Sequence, residues 1–148
     1  MSDKQSTLIQ ATAIAIGGHA LMIEGEPGSG KSSLALALIE RGAQLIGDDG
    51  VRLTSKGETI IASPPPNITG KLEIRGVGIV ELPTVTAPLA LILALADDAP
   101  RYREAAETRE IFGVTLPALP FTPGTIAPAE RALWALRTHA QIQGLAFG

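Results

Sequence analysis

The sequence contains no cysteine. That excludes disulfides, thiolate nucleophiles and cysteine-ligated zinc, and it agrees with a cytoplasmic setting. Aromatic residues make up only 3% of the chain against 45% hydrophobic residues in all, so any core has to be aliphatic. Neither sign of charge dominates: 15 acidic and 12 basic residues leave a net charge of −3. That is too little for strong non-specific attraction to nucleic acid, and no acidic tail is present. No uninterrupted apolar run approaches ~20 residues, so no membrane-spanning helix is expected. The first ten residues lack the apolar centre of a signal peptide. There is no internal repeat and no low-complexity segment. A length of 148 residues predicts one domain, 1–148, with room for a real core.

What is present is concentrated in one stretch. Gly25-Glu26-Pro27-Gly28-Ser29-Gly30-Lys31-Ser32 fits G-x-x-x-x-G-K-[ST], the phosphate-binding P-loop. Glycines let a backbone wrap closely around an oxyanion with successive N–H groups pointing inward. The helix that follows adds its positive N-terminal end. In this pattern Lys31 reaches the β- and γ-phosphates and the Ser32 hydroxyl sits on Mg²⁺. The flanks agree. Residues 20–23 form a short apolar run, as a buried strand would, and residues 33–41 read as a Leu/Ala-rich helix with Gly42 at C′. The bland alternative is a Gly-Ser turn carrying a surface lysine.

Along the chain, Thr12 to Ile16 and Ala20 to Ile23 read as a hairpin turned at Gly17-Gly18, with His19 at the turn and exposed. After the helix, residues 44–47 are expected to return as a strand beside the P-loop strand. Asp48 and Asp49 then fall at its carboxyl end, where open α/β sheets bind ligands. One carboxylate there can hold Mg²⁺ directly or through water, and the other can take a proton from an attacking hydroxyl. The bland alternative is a plain Asp-Gly turn into residues 51–54, which does not compete with that chemistry. Residues 51–54 and 59–62 suggest a second hairpin. Residues 63–67 are too proline-rich for regular structure.

Residues 72–80, Leu-Glu-Ile-Arg-Gly-Val-Gly-Ile-Val, alternate so that Glu73 and Arg75 share one strand face. That face is either solvated or part of a site, and Gly76 and Gly78 favour close backbone approach. Leu89 to Leu95 is a continuous apolar run, read as a buried strand. Residues 101–109 are charged and fit either a surface helix or an exposed strand. Pro128 and Glu130 open a final helix to about Gln143, with Ala129, Leu133, Leu136 and Ala140 on one face. Trp134 reads as packing and His139 as exposed.

Three of these stretches together resemble the catalytic domain of the HPr kinase/phosphorylase family: residues 25–32, residues 41–49 and residues 72–80. Residues 108–114 resemble it more weakly. The similarity spans roughly residues 10–120. It implies an ATP- and Mg-dependent kinase that phosphorylates a serine of the phosphocarrier protein HPr. It also implies an α/β, P-loop, phosphoenolpyruvate-carboxykinase-like fold with mixed, hairpin-rich sheets and a C-terminal helix. By resemblance, Lys31 binds phosphate, Ser32 and Glu73 hold the metal, and Asp48 and Asp49 supply the base and acid. Arg75 belongs to the region that both phosphorylation and dephosphorylation need.

The chain resembles the short, single-domain alphaproteobacterial forms. A homo-oligomer like that of the longer enzymes stays open, as does dephosphorylation. Two departures stand out. Gln10 takes the place of a family histidine that assists the aspartate, and residues 120–125 lack the family's basic residues. The alternatives are a P-loop kinase for a small hydroxylated metabolite, using Arg101, Arg103 and Arg109, and a nucleotide-sensing module. Gln10 is the best support for the second.

Overall fold

The computed structural model describes residues 5–66, 70–102 and 104–140. Among the described residues strands predominate, and two helices complete a mixed α/β fold. The organising strand is β9 (Ala87–Leu95), which contains the apolar run of residues 89–95 read in the sequence. It is buried on both faces, as a near-continuous aliphatic strand must be. Its neighbour is β3 (His19–Glu24), which pairs with it in parallel and leads into the glycine-rich loop. On the other side, β9 pairs antiparallel with β6 (Thr59–Ser63) through Ala87 and Pro88. Further along it pairs in parallel with β11 (Val114–Phe121).

Both expected hairpins form. β2 (Thr12–Ile16) and β3 pair antiparallel across Gly17-Gly18, and β5 (Val51–Lys56) pairs with β6. β1 (Ser6–Ile9) continues the sheet beyond β5. The charged segment whose structure the pattern left open resolves into β10 (Glu107–Ile111), hairpinned to β11. Arg103 lies outside the described residues, and so does Asn67.

α1 (Lys31–Ile39) and α2 (Pro128–His139) cover one face of the sheet. Leu34 and Leu38 of α1, and Ala132 and Leu136 of α2, meet Leu21, Ile23, Leu91 and Leu93 there. The opposite face buries Met22, Ile46, Leu53, Ile60 and Ile92. Alternation along β3 and β9 makes this division, because successive side chains point to opposite faces. Phe121 is the one aromatic among the buried described residues, as the composition requires. The two helices are also clamped by an ion pair between Arg41, just past α1, and Glu130 in the first turn of α2. The Glu130 carboxyl is held below its ordinary range, first by a backbone hydrogen bond at its own residue and then by Arg41.

Several expectations are corrected. β4 (Gln44–Gly47) does not lie beside the P-loop strand. It pairs with β2, because β2 and β9 already occupy both edges of β3. Two antiparallel steps leave β4 running in the same direction as β3, one strand removed, so Asp48 still emerges at the loop's end of the sheet. α1 starts at Lys31, since Gly30 takes the N-cap with φ 104°. Its C-cap is Glu40, which puts Gly42 two residues beyond the cap.

Residues 72–80 are not one strand. They form a separate hairpin, β7 (Lys71–Ile74) with β8 (Gly78–Glu81). Gly76 and Gly78 adopt positive φ, and the Val77 amide bonds back to the Ile74 carbonyl at 3.0 Å. Arg75 therefore sits in the turn and shares no strand face with Glu73. Trp134 is 60% exposed instead of packed, with the Arg137 guanidinium 4.6 Å from its ring centroid. His139 is half-buried, not exposed. The buried face of α2 is Ala129, Ala132, Ala135 and Leu136; Leu133 and Ala140 pack more loosely, and Gln143 lies outside the described residues.

Candidate functional site

The site forms where β3 ends, α1 begins and β4 ends. Gly25 to Gly30 loop from β3 into α1, and the Ser29 amide bonds to the Glu26 carbonyl at 3.0 Å to tighten the turn. Gly30 caps α1 in the left-handed region, open to glycine at little cost. No side chain caps the helix and no acidic residue lies in its first turn. The positive end of α1 is thus left to face whatever the loop surrounds. Lys31 is only 8% exposed. Its ammonium donates to the Gly25 carbonyl at 2.9 Å and the Glu26 carbonyl at 3.2 Å, so the lysine is folded along the inside of its own loop. Behind the loop, Arg109 of β10 pairs with Glu24, the last residue of β3.

Asp48 is where the separate elements converge. Its Oδ1 accepts a hydrogen bond from Ser32 Oγ at 2.7 Å and another from Thr12 Oγ1 at 3.0 Å. Its Oδ2 lies 3.5 Å from the Glu73 amide, at the limit of a hydrogen bond. One carboxylate thus joins α1, β2 and the β7–β8 hairpin. The turn that presents it is tight: a Cβ on Gly47 would sit 2.1 Å from the Gly50 carbonyl oxygen. Asp49 takes the left-handed conformation with φ 61°, which Asp tolerates better than most side chains. Its amide donates to Thr12 Oγ1 at 3.4 Å. Asp49 itself is exposed, and no hydrogen bond joins its carboxylate to another described residue.

Of the residues singled out in the sequence, Lys31, Ser32 and Asp48 come together with the loop from Gly25 to Gly30, and Asp49 stands next to them. Glu73 arrives through its backbone, with its side chain exposed. Arg75 is exposed in the hairpin turn two residues on. Gln10 does not join the group. It sits exposed in the bend between β1 and β2, and it is Thr12 that bonds to Asp48. Thr12 was missed because in sequence it is an ordinary β-branched strand residue, 36 positions from its partner.

The donors around Asp48 are hydroxyl and carboxylate oxygens, the hard-oxygen chemistry that Mg²⁺ prefers. Among the described residues no group of three or more His, Cys, Asp or Glu side chains stands together. An open cleft of about 630 Å³ runs from Glu26, Gly28 and Ser29 to Leu95, Asp97 and Thr122, beside the loop. Among the described residues no helix is long and apolar enough to cross a membrane.

Residues 3–87 match the family model described as HPr Serine kinase C-terminal domain. The chain is 41% identical over 84 residues to the HPr kinase/phosphorylase of Clostridium botulinum (strain Eklund 17B / Type B), covering 55% of this chain and 28% of that one. With the HPr kinase/phosphorylase of Geobacillus thermodenitrificans it shares 33% identity over 135 residues, 80% of this chain and 44% of the relative. It therefore spans less than half the length of these curated relatives. The solved structure of the Hpr(Ser) kinase/phosphatase from Coxiella burnetii superposes with a TM-score of 0.76 at 28% identity, covering 88% of this chain and 89% of that one. The family match includes residues 25–32, 48–49 and 72–80, and stops short of residues 108–114.

Proposed function

We infer the function from one premise: the chain belongs to the HPr serine kinase C-terminal domain family. On that basis we read it as a cytoplasmic, ATP- and Mg-dependent protein kinase that phosphorylates a serine hydroxyl of HPr. The same membership favours a phosphoenolpyruvate-carboxykinase-like P-loop architecture. The observation that carries the reading is the contact of Ser32 Oγ with Asp48 Oδ1 at 2.7 Å, which puts the helix start and the aspartate turn in one site.

In this reading the backbone amides of Gly28 to Ser32 bind the phosphate oxygens, helped by the positive end of α1. The Lys31 ammonium, now bonded to the Gly25 and Glu26 carbonyls, exchanges them for phosphate. Ser32 and Glu73 hold the metal. Mg-ATP, when bound, supplies the phosphoryl group and positive charge that offsets the charge developing on it. The Asp48/Asp49 pair accepts the proton of the serine hydroxyl as its oxygen bonds to the γ-phosphorus and the bond from that phosphorus to ADP breaks. Asp48 is held by hydroxyls, whereas Asp49 is exposed beside it, so the two carboxylates differ in their freedom to move. Arg75 sits on the hairpin that brings Glu73 to Asp48, and we assign it to the approach of the acceptor. The reading is limited to the kinase direction, because residues 120–125 offer no basic side chain for attack by free phosphate on phosphoserine.

The test is phosphotransfer. The purified chain is incubated with Mg-ATP and purified HPr, and phosphate on the HPr serine is measured. Transfer that depends on Mg and is lost in Lys31→Ala is expected. Absence of transfer by the unaltered chain would refute the reading.

A further inference from the structure

Two polar or charged residues are buried among the described residues, Thr12 and Lys31, and both belong to this site. Lys31 has an assigned task in the P-loop pattern. Thr12 has none. It opens β2 and has no exposure at all. A valine would fill the same space without carrying a hydroxyl out of water, a burial that costs free energy unless the hydroxyl is hydrogen-bonded.

The hydroxyl is bonded, and its roles follow from its partners. The Asp49 backbone N–H can only donate, so it takes a lone pair of Thr12 Oγ1, at 3.4 Å. The single hydroxyl proton is then given to Asp48 Oδ1, at 3.0 Å. Ser32 Oγ donates to the same oxygen at 2.7 Å. Two donors on Oδ1 fix the rotation of the carboxylate and leave Oδ2 turned toward Glu73. The support is stiff, because a β-branched side chain has restricted χ1 freedom and Thr12 is packed in a central strand pair.

We propose that Thr12 is a positioning residue for phosphoryl transfer: its buried hydroxyl orients Asp48 and ties the left-handed Asp49 turn to β2. It touches neither nucleotide nor acceptor. Its contribution therefore falls on turnover, through the geometry of the two carboxylates, and not on nucleotide affinity. The inference rests on the kinase reading above.

The experiment uses the whole chain with HPr as acceptor and two substitutions. Thr12→Val keeps the shape and deletes the hydroxyl; Thr12→Ser keeps the hydroxyl and deletes the methyl. Thr12→Val should lower kcat by ~10–100-fold, the scale expected when a catalytic group is misplaced by a fraction of an ångström to an ångström. KM for ATP should be unchanged, and Thr12→Ser should recover most of kcat. In the unaltered protein the Asp49 amide should be protected from hydrogen exchange, a readout independent of activity and of the folding of any variant.

Four results overturn the proposal. These are full turnover in Thr12→Val, equal losses in both variants, a raised KM for ATP, and an unprotected Asp49 amide. The second would reduce Thr12 to packing. If the unaltered chain transfers no phosphate, the kinase reading falls and takes this inference with it; if it transfers phosphate and Thr12→Val does so equally well, only this inference falls.

Discussion

Ser32 Oγ donates to Asp48 Oδ1 across 2.7 Å, joining the first turn of α1 to the end of β4. The bond places the hydroxyl and carboxylate of the proposed phosphotransfer site side by side. Asp48→Asn keeps the shape and removes the charge. If Asp48 takes the serine proton, transfer should fall by ~10²–10⁴-fold, the usual worth of a general base. ATP affinity should change much less. An equally large loss in nucleotide binding would move Asp48 from proton transfer to phosphate or metal binding. Asp49→Asn, made in parallel, tells which carboxylate is the base.

Lys31→Ala tests the loop. The ammonium is buried against the Gly25 and Glu26 carbonyls, so it supports the loop as well as being placed to meet phosphate. Loss of nucleotide-dependent turnover by ~10²-fold or more is expected, comparable to losing a preorganised charge at a reacting centre. Circular dichroism and thermal unfolding should show the variant folded. Undiminished ATP turnover in a folded Lys31→Ala protein contradicts the phosphate-binding role of the loop.

Gly47→Ala tests the aspartate turn by sterics alone. The added methyl would lie 2.1 Å from the Gly50 carbonyl oxygen, well inside contact distance, so the backbone between them must shift. Forcing atoms into a packed site typically costs ~1–3 kcal/mol. A lowered unfolding temperature with reduced phosphotransfer is the expected pair of results. A stable variant with full activity would mean that the turn is looser than this structure has it.

The features legible in the sequence were local ones. The glycine-rich loop, the hairpins around Gly17-Gly18 and residues 55–58, the buried run at residues 89–95 and the proline-led α2 each announce themselves within a dozen residues. What escaped depends on distant neighbours. Residues 44–47 were recognisable as a strand, yet their place beyond β2 followed from which edges of β3 were already taken. Residues 72–75 alternate as a strand does, yet the turn around Gly76 and Gly78, both at positive φ, takes Arg75 out of it. Trp134 has the composition of a core residue but lies on the outer side of α2. At the site, the glycine pattern marked Lys31 and Ser32, while Thr12 had no local signal and Gln10, two residues away, drew attention by resemblance. A hydrogen bond between positions 12 and 48 becomes visible only when β2 and β4 are known to be neighbours.

The pairing of Arg41 with Glu130 gives stability a pH dependence in acid. Glu130 occupies the first turn of α2, where its carboxylate accepts a backbone hydrogen bond at its own residue. That bond is the larger cause of its lowered pKa, and the Arg41 side-chain bond comes next. A carboxyl with a folded pKa below its unfolded one, about 4.3 for glutamate, binds its proton more readily when unfolded. Its contribution is therefore complete above that unfolded value and disappears as the pH falls through the folded value. Glu130→Gln should lower the unfolding temperature slightly at pH 7 and make no difference near pH 2. The effect is small because the group is open to water. Arg41→Gln should cost less than Glu130→Gln, since it leaves the backbone bond in place. High salt should shrink the Arg41 effect more than the Glu130 effect, because screening acts on the ion pair and barely on a local hydrogen bond. Thermal unfolding of the three proteins at pH 7 and pH 2, with and without 1 M salt, checks the whole series; an Arg41→Gln loss exceeding that of Glu130→Gln would show that the interhelix ion pair, and not the helix-start hydrogen bond, sets the carboxyl.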